Sequence, residues 1–327
     1  MFGYGDIKLF AGSASQELAA EIGDYLGLSL IGYDLIEFPN ENLFPRLRGS
    51  VRGQDVYLVQ SMVSPVHRNI MELLLMIDCL KRDSAGRITA VIPYMAYARS
   101  DKKDQPRVPI AARLLADMIE VAGADRYITI DLHAGQIQGF FSIPGDVLTA
   151  FHLLSDYFQG KQLDQAVVAT ADLGFAKKGR NFAAKLGTPL AFVEKRRTGD
   201  GARARATTVI GNVADKDVIL VDDEVLTGGS VVQAVEILRE HGARDIYLSF
   251  PCLAGASFGG AAGPTSTEGD RHHQHRLPAP GEAPSQHDRA VDRSAARRGD
   301  PPGARGPFGG GALQRVSQSR TIQPSHA

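Results

Sequence analysis

From the start of the chain to about Leu253, short β-branched runs alternate with longer stretches whose apolar residues recur at helical spacing. The runs IKLFA (7–11), VYLVQ (56–60), ITAVI (88–92), YITIDL (127–132), AVVAT (166–170), LAFVE (190–194), VILV (218–221) and IYLSF (246–250) are almost continuously apolar. That character predicts strands buried on both faces. Between them, PIAARLLADMIEVAG puts Ile110, Leu114, Leu115, Met118 and Ile119 on one predicted helical face and stops at Gly123. SVVQAVEILREHG repeats the pattern and stops at Gly242, with Arg239 and His241 in its last turn, where cations oppose the helix dipole. Strand and helix in alternation predict an α/β fold with largely parallel sheets flanked by helices. The expected organisation is two halves of several βα units each, residues 1–150 and 151–253, followed by a tail over 254–327.

The tail breaks the pattern. Its strongly apolar residues, Phe258, Leu277, Val291, Phe308, Leu313, Val316 and Ile322, are scattered without period, and Lys and Asn are absent. Such a stretch cannot offset roughly 1–2 kcal/mol of backbone entropy per residue, so disorder is expected. Two origins stay open: a genuine linker or interaction segment, and a translation shifted out of frame after about residue 253, where another helix and strand would be expected. HHQH at 272–275 reads as a fortuitous solvated cluster, because no second ligand group stands at a defined spacing.

Composition narrows the function classes. The chain has 327 residues, 43% hydrophobic and 22% charged, with a formal net charge of −1, which argues against nucleic acid or an anionic membrane as partner. The opening MFGYGDIKLFAG has no signal-peptide pattern, and no run approaches the ~18 apolar residues of a membrane span. Cys79 and Cys252 both lie in apolar contexts and read as reduced, packed thiols. A cytoplasmic location is the expectation.

Ligands of open α/β sheets sit beyond the carboxyl ends of the strands. Those ends carry PYMAYARSDKKDQPR after 88–92, DLHAGQIQGFF after YITI, ADLGFAKKGR after 166–170, KRRTGDGARAR after 190–194 and DDEVLTGGS after 218–221. Cationic loops beside carboxylates and an imidazole suit a polyphosphate held with a divalent ion. His133 alone reads as a hydrogen-bonded structural histidine; beside Asp131, and with Asp172 at a neighbouring strand end, it reads as part of a Mg²⁺ site. Since Mg²⁺ prefers oxygen, it can equally hold a coordinated water. Lys195, Arg196 and Arg197 start at a strand end and run into a Gly-containing stretch with Arg203 and Arg205, the composition of a cationic flap. Thr227, Gly228, Gly229 and Ser230 place small residues at a predicted helix N-terminus, where free amides attract phosphate. Asp222 and Asp223 just before them can accept hydrogen bonds from vicinal ribose hydroxyls. Neither GxxxxGK[ST] nor GxGxxG occurs, so the site is for a sugar phosphate and not a nucleotide P-loop.

VDDEVLTGG resembles the ribose-5-phosphate loop shared by type I phosphoribosyltransferases and ribose-phosphate pyrophosphokinases. MELLLMIDCLKR, RITAVIPYMAYARSDKKD, GADRYITIDLHAGQIQGFF and VEKRR extend the likeness to the pyrophosphokinase family over roughly residues 6 to 253. The resemblance implies two phosphoribosyltransferase-like domains and transfer of the β,γ-diphosphoryl group of MgATP to O1 of ribose 5-phosphate, giving phosphoribosyl pyrophosphate and AMP. It implies Lys195 and Arg197 as the catalytic flexible-loop pair, and His133 and Asp172 as metal ligands. ATP would take Phe38 against adenine, with Asn40, Glu41 and Asn42 around it from a neighbouring subunit, and Arg99, Ser100 and Asp104 near base and phosphates. Ribose 5-phosphate would lie on Arg197, Asp222, Asp223 and the turn from Leu226 and Thr227 through Gly228, Gly229 and Ser230. Residues 172–180 match the loop that approaches the pyrophosphate, and a homo-oligomer, typically a hexamer, is implied. The sequence departs from the family pattern at FPNEN, where FxDGE is common, at Ser100 for Gln, at Gly135 for Asp, and at Leu226 for the Asp before Thr227. The alternatives are a non-catalytic regulatory paralogue of the same fold and a phosphoribosyltransferase.

Overall fold

The computed structural model describes residues 4–161, 163, 165–171, 173–197, 205–225 and 228–251, together with the backbone of 312–316; the side chains of 173, 195–197 and 205–207 lie outside that description. The first half runs β1 (Ile7–Ala11), α1 (Gln16–Leu26), β2 (Tyr33–Glu37), β3 (Leu43–Leu47), β4 (Asp55–Val59), α2 (Val66–Arg82), β5 (Arg87–Ile92), α3 (Ala111–Ala122), β6 (Arg126–Ile130) and β7 (Gly145–Leu148). The second runs α4 (Phe151–Lys161), β8 (Val167–Thr170), α5 (Ala176–Leu186), β9 (Leu190–Arg197), β10 (Arg205–Ile210), β11 (Val218–Val221), α6 (Gly229–Glu240), β12 (Ile246–Phe250) and β13 (Ala312–Val316).

The strands form a five-stranded sheet in the order β1-β4-β5-β6-β7, parallel throughout, and a six-stranded sheet in the order β10-β9-β8-β11-β12-β13. In the second, β9, β8, β11 and β12 are parallel, while β10 and β13 run antiparallel at the two edges. All eight apolar runs of the sequence became strands. VILV of β11 and IYLSF of β12 are buried at every position, as strands covered on both faces must be. Phe10, Leu58, Leu73, Met76, Leu80, Ile88 and Ile119 anchor the first core; Phe158, Val168, Phe182, Ile219 and Tyr247 anchor the second.

Two expectations need correction. Leu114 and Met118 are not on the buried face of α3, being 58% and 36% exposed, and Ile110 precedes the helix. The buried stripe is Ala112, Leu115, Ala116 and Ile119, where two alanines let the helix backbone approach its neighbours. The strand at 127–132 ends at Ile130, because Asp131 turns to a positive φ of 45°. Residues 312–316 of the tail form β13, paired along β12 from Ile246↔Val316 to Phe250↔Ala312. An open parallel edge offers unpaired amides and carbonyls, which a short strand satisfies even without apolar periodicity.

A two-stranded antiparallel ribbon, β2 with β3, stands outside both sheets and was not predicted. Asp34 on it receives Arg46 at 2.8 Å and Arg48 at 2.8 Å, a cross-strand charge cluster. Cys79 is a free, half-buried thiol, and Cys252 lies outside the described residues. Among the described residues no helix is long and apolar enough to cross a membrane.

Candidate active site

Beyond the carboxyl ends of β6 and β11, two loops from the two sheets meet. His133 Nδ1 lies 2.5 Å from Asp223 Oδ2, and Arg99, from the loop after β5, forms an ion pair with Glu224. Both acceptors are buried, Asp223 and Glu224 each being 8% exposed. The Asp222 amide donates to the Ser249 carbonyl at 3.2 Å, keeping the doublet on the sheet axis one residue past β11, and the Asp223 amide donates to Asp222 Oδ1 at 2.9 Å.

The two carboxylates are electrostatically unequal. Burial, then the hydrogen bond and charge of Asp223, push Asp222 up to about 7. Burial acts on Asp223 in the same direction but is outweighed by its bonds to Asp222 and His133, which hold it below the ordinary carboxylate range. The pair therefore holds a single proton below about pH 7 and gives it up as the pH rises through that value. This is the cost suggested by an apolar strand ending in two adjacent acids.

A cavity of about 210 Å³ opens beside the doublet, lined on its polar side by Asp131, Lys178, Asp222, Asp223 and Ser249. Phe175 and Phe182 form part of its apolar wall. Lys178 reaches the Leu132 carbonyl at 3.5 Å, from the second half to the loop that carries His133. Asp131 is held away from free rotation, accepting from Thr149 Oγ1 and the Ala150 amide, both at 2.8 Å. Its carboxylate thus fixes the turn after β7. Helix α6 begins next to the doublet with Gly228 at φ 75°, a conformation that favours glycine, and exposes Gly229 and Ser230 in its first turn. The first amides of a helix have no partners within it, so this end can receive an anion.

The remaining candidates separate into groups. Phe38 is 46% exposed, and with Asn40, Glu41 and Asn42 it forms the tip of the β2–β3 ribbon. The tip is closed by the Phe38 amide donating to the Asn42 carbonyl at 2.9 Å, with Glu41 at φ 65°. Ser100 is committed locally: its hydroxyl accepts from the Ala111 amide at 3.2 Å and so caps α3 from a distance. Asp104 is exposed in the loop before α3. Lys195 and Arg197 lie in β9, paired with Thr207 and Arg205 of β10. Asp172, Leu226 and Thr227 lie outside the described residues. Lys178 and Ser249 were missed individually. Lys178 could have been singled out from the cationic segment 172–180, whereas Ser249 gives no signal beyond its place at a strand end.

His133 fits a metal-ligand role in one respect. Its Nδ1 is engaged by a carboxylate, as ligating histidines usually are, leaving Nε2 for an ion. No group of three or more His, Cys, Asp or Glu side chains among the described residues could hold a metal ion unaided. Mg²⁺ commonly takes only one or two protein ligands and completes its shell with water and phosphate, so the residues present are compatible with it.

Residues 7–123 match the family model for the N-terminal domain of ribose phosphate pyrophosphokinase, and residues 150–273 match the phosphoribosyl transferase domain. A ribose-phosphate pyrophosphokinase of Caldanaerobacter subterraneus is 47% identical over 242 residues, 74% of this chain and 76% of that protein. One of Campylobacter jejuni is 44% identical over 239 residues, 73% and 77% of the two chains. The crystal structure of phosphoribosylpyrophosphate synthetase from Mycobacterium smegmatis superposes with a TM-score of 0.71 at 41% identity, over 76% of this chain and 82% of that one. With its two sheets, its acidic doublet beside a helix N-terminus and these relatives, the chain belongs to the ribose-phosphate pyrophosphokinase family.

Proposed function

We infer that this chain transfers the β,γ-diphosphoryl group of ATP to O1 of ribose 5-phosphate, forming phosphoribosyl pyrophosphate and AMP. The observation that carries the reading is the acidic doublet beside the exposed start of α6. Asp222 and Asp223 would accept from the ribose 2- and 3-hydroxyls, while the turn from Leu226 and Thr227 through Gly228, Gly229 and Ser230 holds the 5-phosphate. The cavity beside the doublet, with Lys178 at its wall, leaves room for the sugar. O1 then attacks the β phosphorus and releases its proton to solvent; the bond between that phosphorus and the α,β-bridging oxygen breaks, and AMP leaves.

Phe38 would stack on adenine from the ribbon of a neighbouring subunit, with Asn40, Glu41 and Asn42 around it. Arg99, held by Glu224, would reach the nucleotide together with Ser100 and Asp104. Ser100 has its hydroxyl, amide and carbonyl engaged by Ala111, Tyr97 and Ala112, so near the nucleotide it would act by shaping the loop that carries Arg99. Lys195 and Arg197, on the β9–β10 pair, would neutralise charge developing on the transferred group. When bound, Mg²⁺ would supply charge neutralisation on the phosphates, with His133 and Asp172 as its protein ligands. Subunit association is supported by α3, which exposes Leu114, Met118 and Val121 along one side, Val121 at 83%. A homo-oligomer, with a hexamer as the expected form, would cover that stripe. The substrates are cytoplasmic metabolites, which favours that compartment for the enzyme.

Residues 1–150 and 151–253 would be the nucleotide and sugar-phosphate domains, with 254–327 a low-complexity tail, either genuine or out of frame. An AMP-forming assay with ribose 5-phosphate and MgATP tests the activity. AMP released only when both substrates are present supports it, while consumption of phosphoribosyl pyrophosphate with a base, or no turnover by folded protein, overturns it.

A further inference from the structure

Glu72, on α2, is fully buried and has no part in the chemistry above. Its carboxylate accepts from the Ser13 amide at 2.8 Å, the Ser13 hydroxyl, Tyr33 Oη at 2.5 Å, Gln60 Nε2 at 3.1 Å and Arg68 Nη1 at 3.5 Å. Arg68, one turn earlier on the same helix, also donates to Ser13 Oγ at 3.0 Å and to Glu37 at 3.1 Å. Tyr33 and Glu37 are the first and last residues of β2. The strand is thus tied to α2 at both ends, at Tyr33 by Glu72 and at Glu37 by Arg68, and the next residue is Phe38.

A fully buried carboxylate is an inefficient way to gain stability, since its desolvation offsets most of what its partners return. What it supplies is geometry: five donors of fixed direction on one acceptor group allow a single arrangement. The ribbon lies outside both sheets and β2 is no more than half-buried along its length; β3 packs on α2 and Leu47 and Tyr33 meet the first core, so the polar ties of β2 to α2 set the angle on a face that apolar packing covers only in part. Burial, and then the bond to Glu72, push the Tyr33 hydroxyl above its ordinary value, so it remains a donor throughout the physiological range.

We propose that Glu72 and Arg68 are positioning residues for nucleotide recognition, fixing the angle at which the β2–β3 ribbon presents Phe38 and the Asn40–Asn42 tip to ATP. The inference rests on the reading of Phe38 as the adenine contact. It assigns to α2 a role in the affinity of one substrate and none in the affinity of the other. Neither residue touches substrate.

The test is steady-state kinetics of the full chain carrying Arg68→Ala, Phe38→Ala or both, with ATP and ribose 5-phosphate varied separately. Arg68 is one-third exposed, and its removal leaves Glu72 bonded to Ser13, Tyr33 and Gln60, so the variant should fold. Arg68→Ala is expected to raise KM for ATP about tenfold, with kcat and KM for ribose 5-phosphate held within about threefold. Because the effect runs largely through Phe38, adding Arg68→Ala to Phe38→Ala should raise KM for ATP by about threefold or less, well short of the tenfold seen alone. Tyr33→Phe should move KM for ATP the same way by about threefold. An unchanged KM for ATP in both Arg68→Ala and Tyr33→Phe, or full additivity with Phe38→Ala, overturns the inference while leaving the adenine reading intact. A silent Phe38→Ala overturns both.

Discussion

His133 and Asp223 share a 2.5 Å hydrogen bond that joins the loop after β6 in the first sheet to the loop after β11 in the second. A residue proposed for the metal and a residue proposed for the sugar are therefore one unit. His133→Ala leaves a carboxylate that is only 8% exposed without that partner, and should cost about 1 kcal/mol of stability, the half-exposed imidazole limiting the loss. It should also raise the Mg²⁺ concentration needed for half-maximal activity. An unchanged Mg²⁺ midpoint in a folded variant would remove His133 from the metal site.

Asp222 gives the ligand-free protein a pH signature. Its folded-state value is pushed up to about 7 from 3.8, so over that interval the native state keeps a proton that the unfolded chain has released. The contribution of this group to stability is fully present below about pH 4 and is lost as pH rises through about 7. Thermal unfolding of metal-free, substrate-free Asp222→Asn should show a shallower decline in Tm between about pH 5 and about pH 7 than the parent. Superimposable slopes would refute the shift.

Lys195 belongs to β9, opposite Thr207 of β10. If it meets the transferred group, Lys195→Ala should reduce kcat by about 10³-fold, with Tm nearly unchanged. Turnover close to the parent's would end the assignment.

Gly179, inside the segment that resembles a pyrophosphate loop, is constrained by packing. It sits in α5, and a Cβ there would come within 2.4 Å of Thr170 Cγ2 on β8. Gly179→Ala should destabilise by about 1–3 kcal/mol through overpacking, measurable by chemical denaturation. A variant as stable as the parent would show that α5 can lift off the sheet freely.

The exposed stripe of α3 can be examined by sedimentation. Val121→Glu together with Leu114→Glu should shift the protein toward smaller species without lowering its helix content. An unaltered distribution would place the subunit contact elsewhere.

Both sheets were legible in the sequence because their central strands are covered on both faces and so are written almost wholly in apolar residues, as in VILV and IYLSF. The ribbon was not, since YDLIE and LFPRL combine charges, a proline and half-buried positions in a pair that belongs to neither sheet. GDVL of β7 was too short and too polar to stand out. In the site, Asp222 and Asp223 announced themselves by interrupting an apolar run. The coupling of Asp223 to His133, ninety positions away, is tertiary and has no local trace. Glu72 was invisible for a related reason: within MELLLMIDCLKR it looks like any helix glutamate, and only the folded chain shows that it faces inward. The α3 face was assigned one step around the helix from its true position because Leu and Met were weighted above the alanines that make the closest approach.

The convergence of Ser13, Tyr33, Gln60 and Arg68 on Glu72 has an evolutionary consequence. Drift at any one of these positions alone is costly, because losing the acceptor takes a bond from four partners and losing a donor leaves a buried carboxylate less well satisfied. Across related chains the five should be inherited together or exchanged together, as a covarying block. Lineages that replaced the block wholesale would be expected to hold their hairpin at a different tilt and to rank nucleoside triphosphates in a different order.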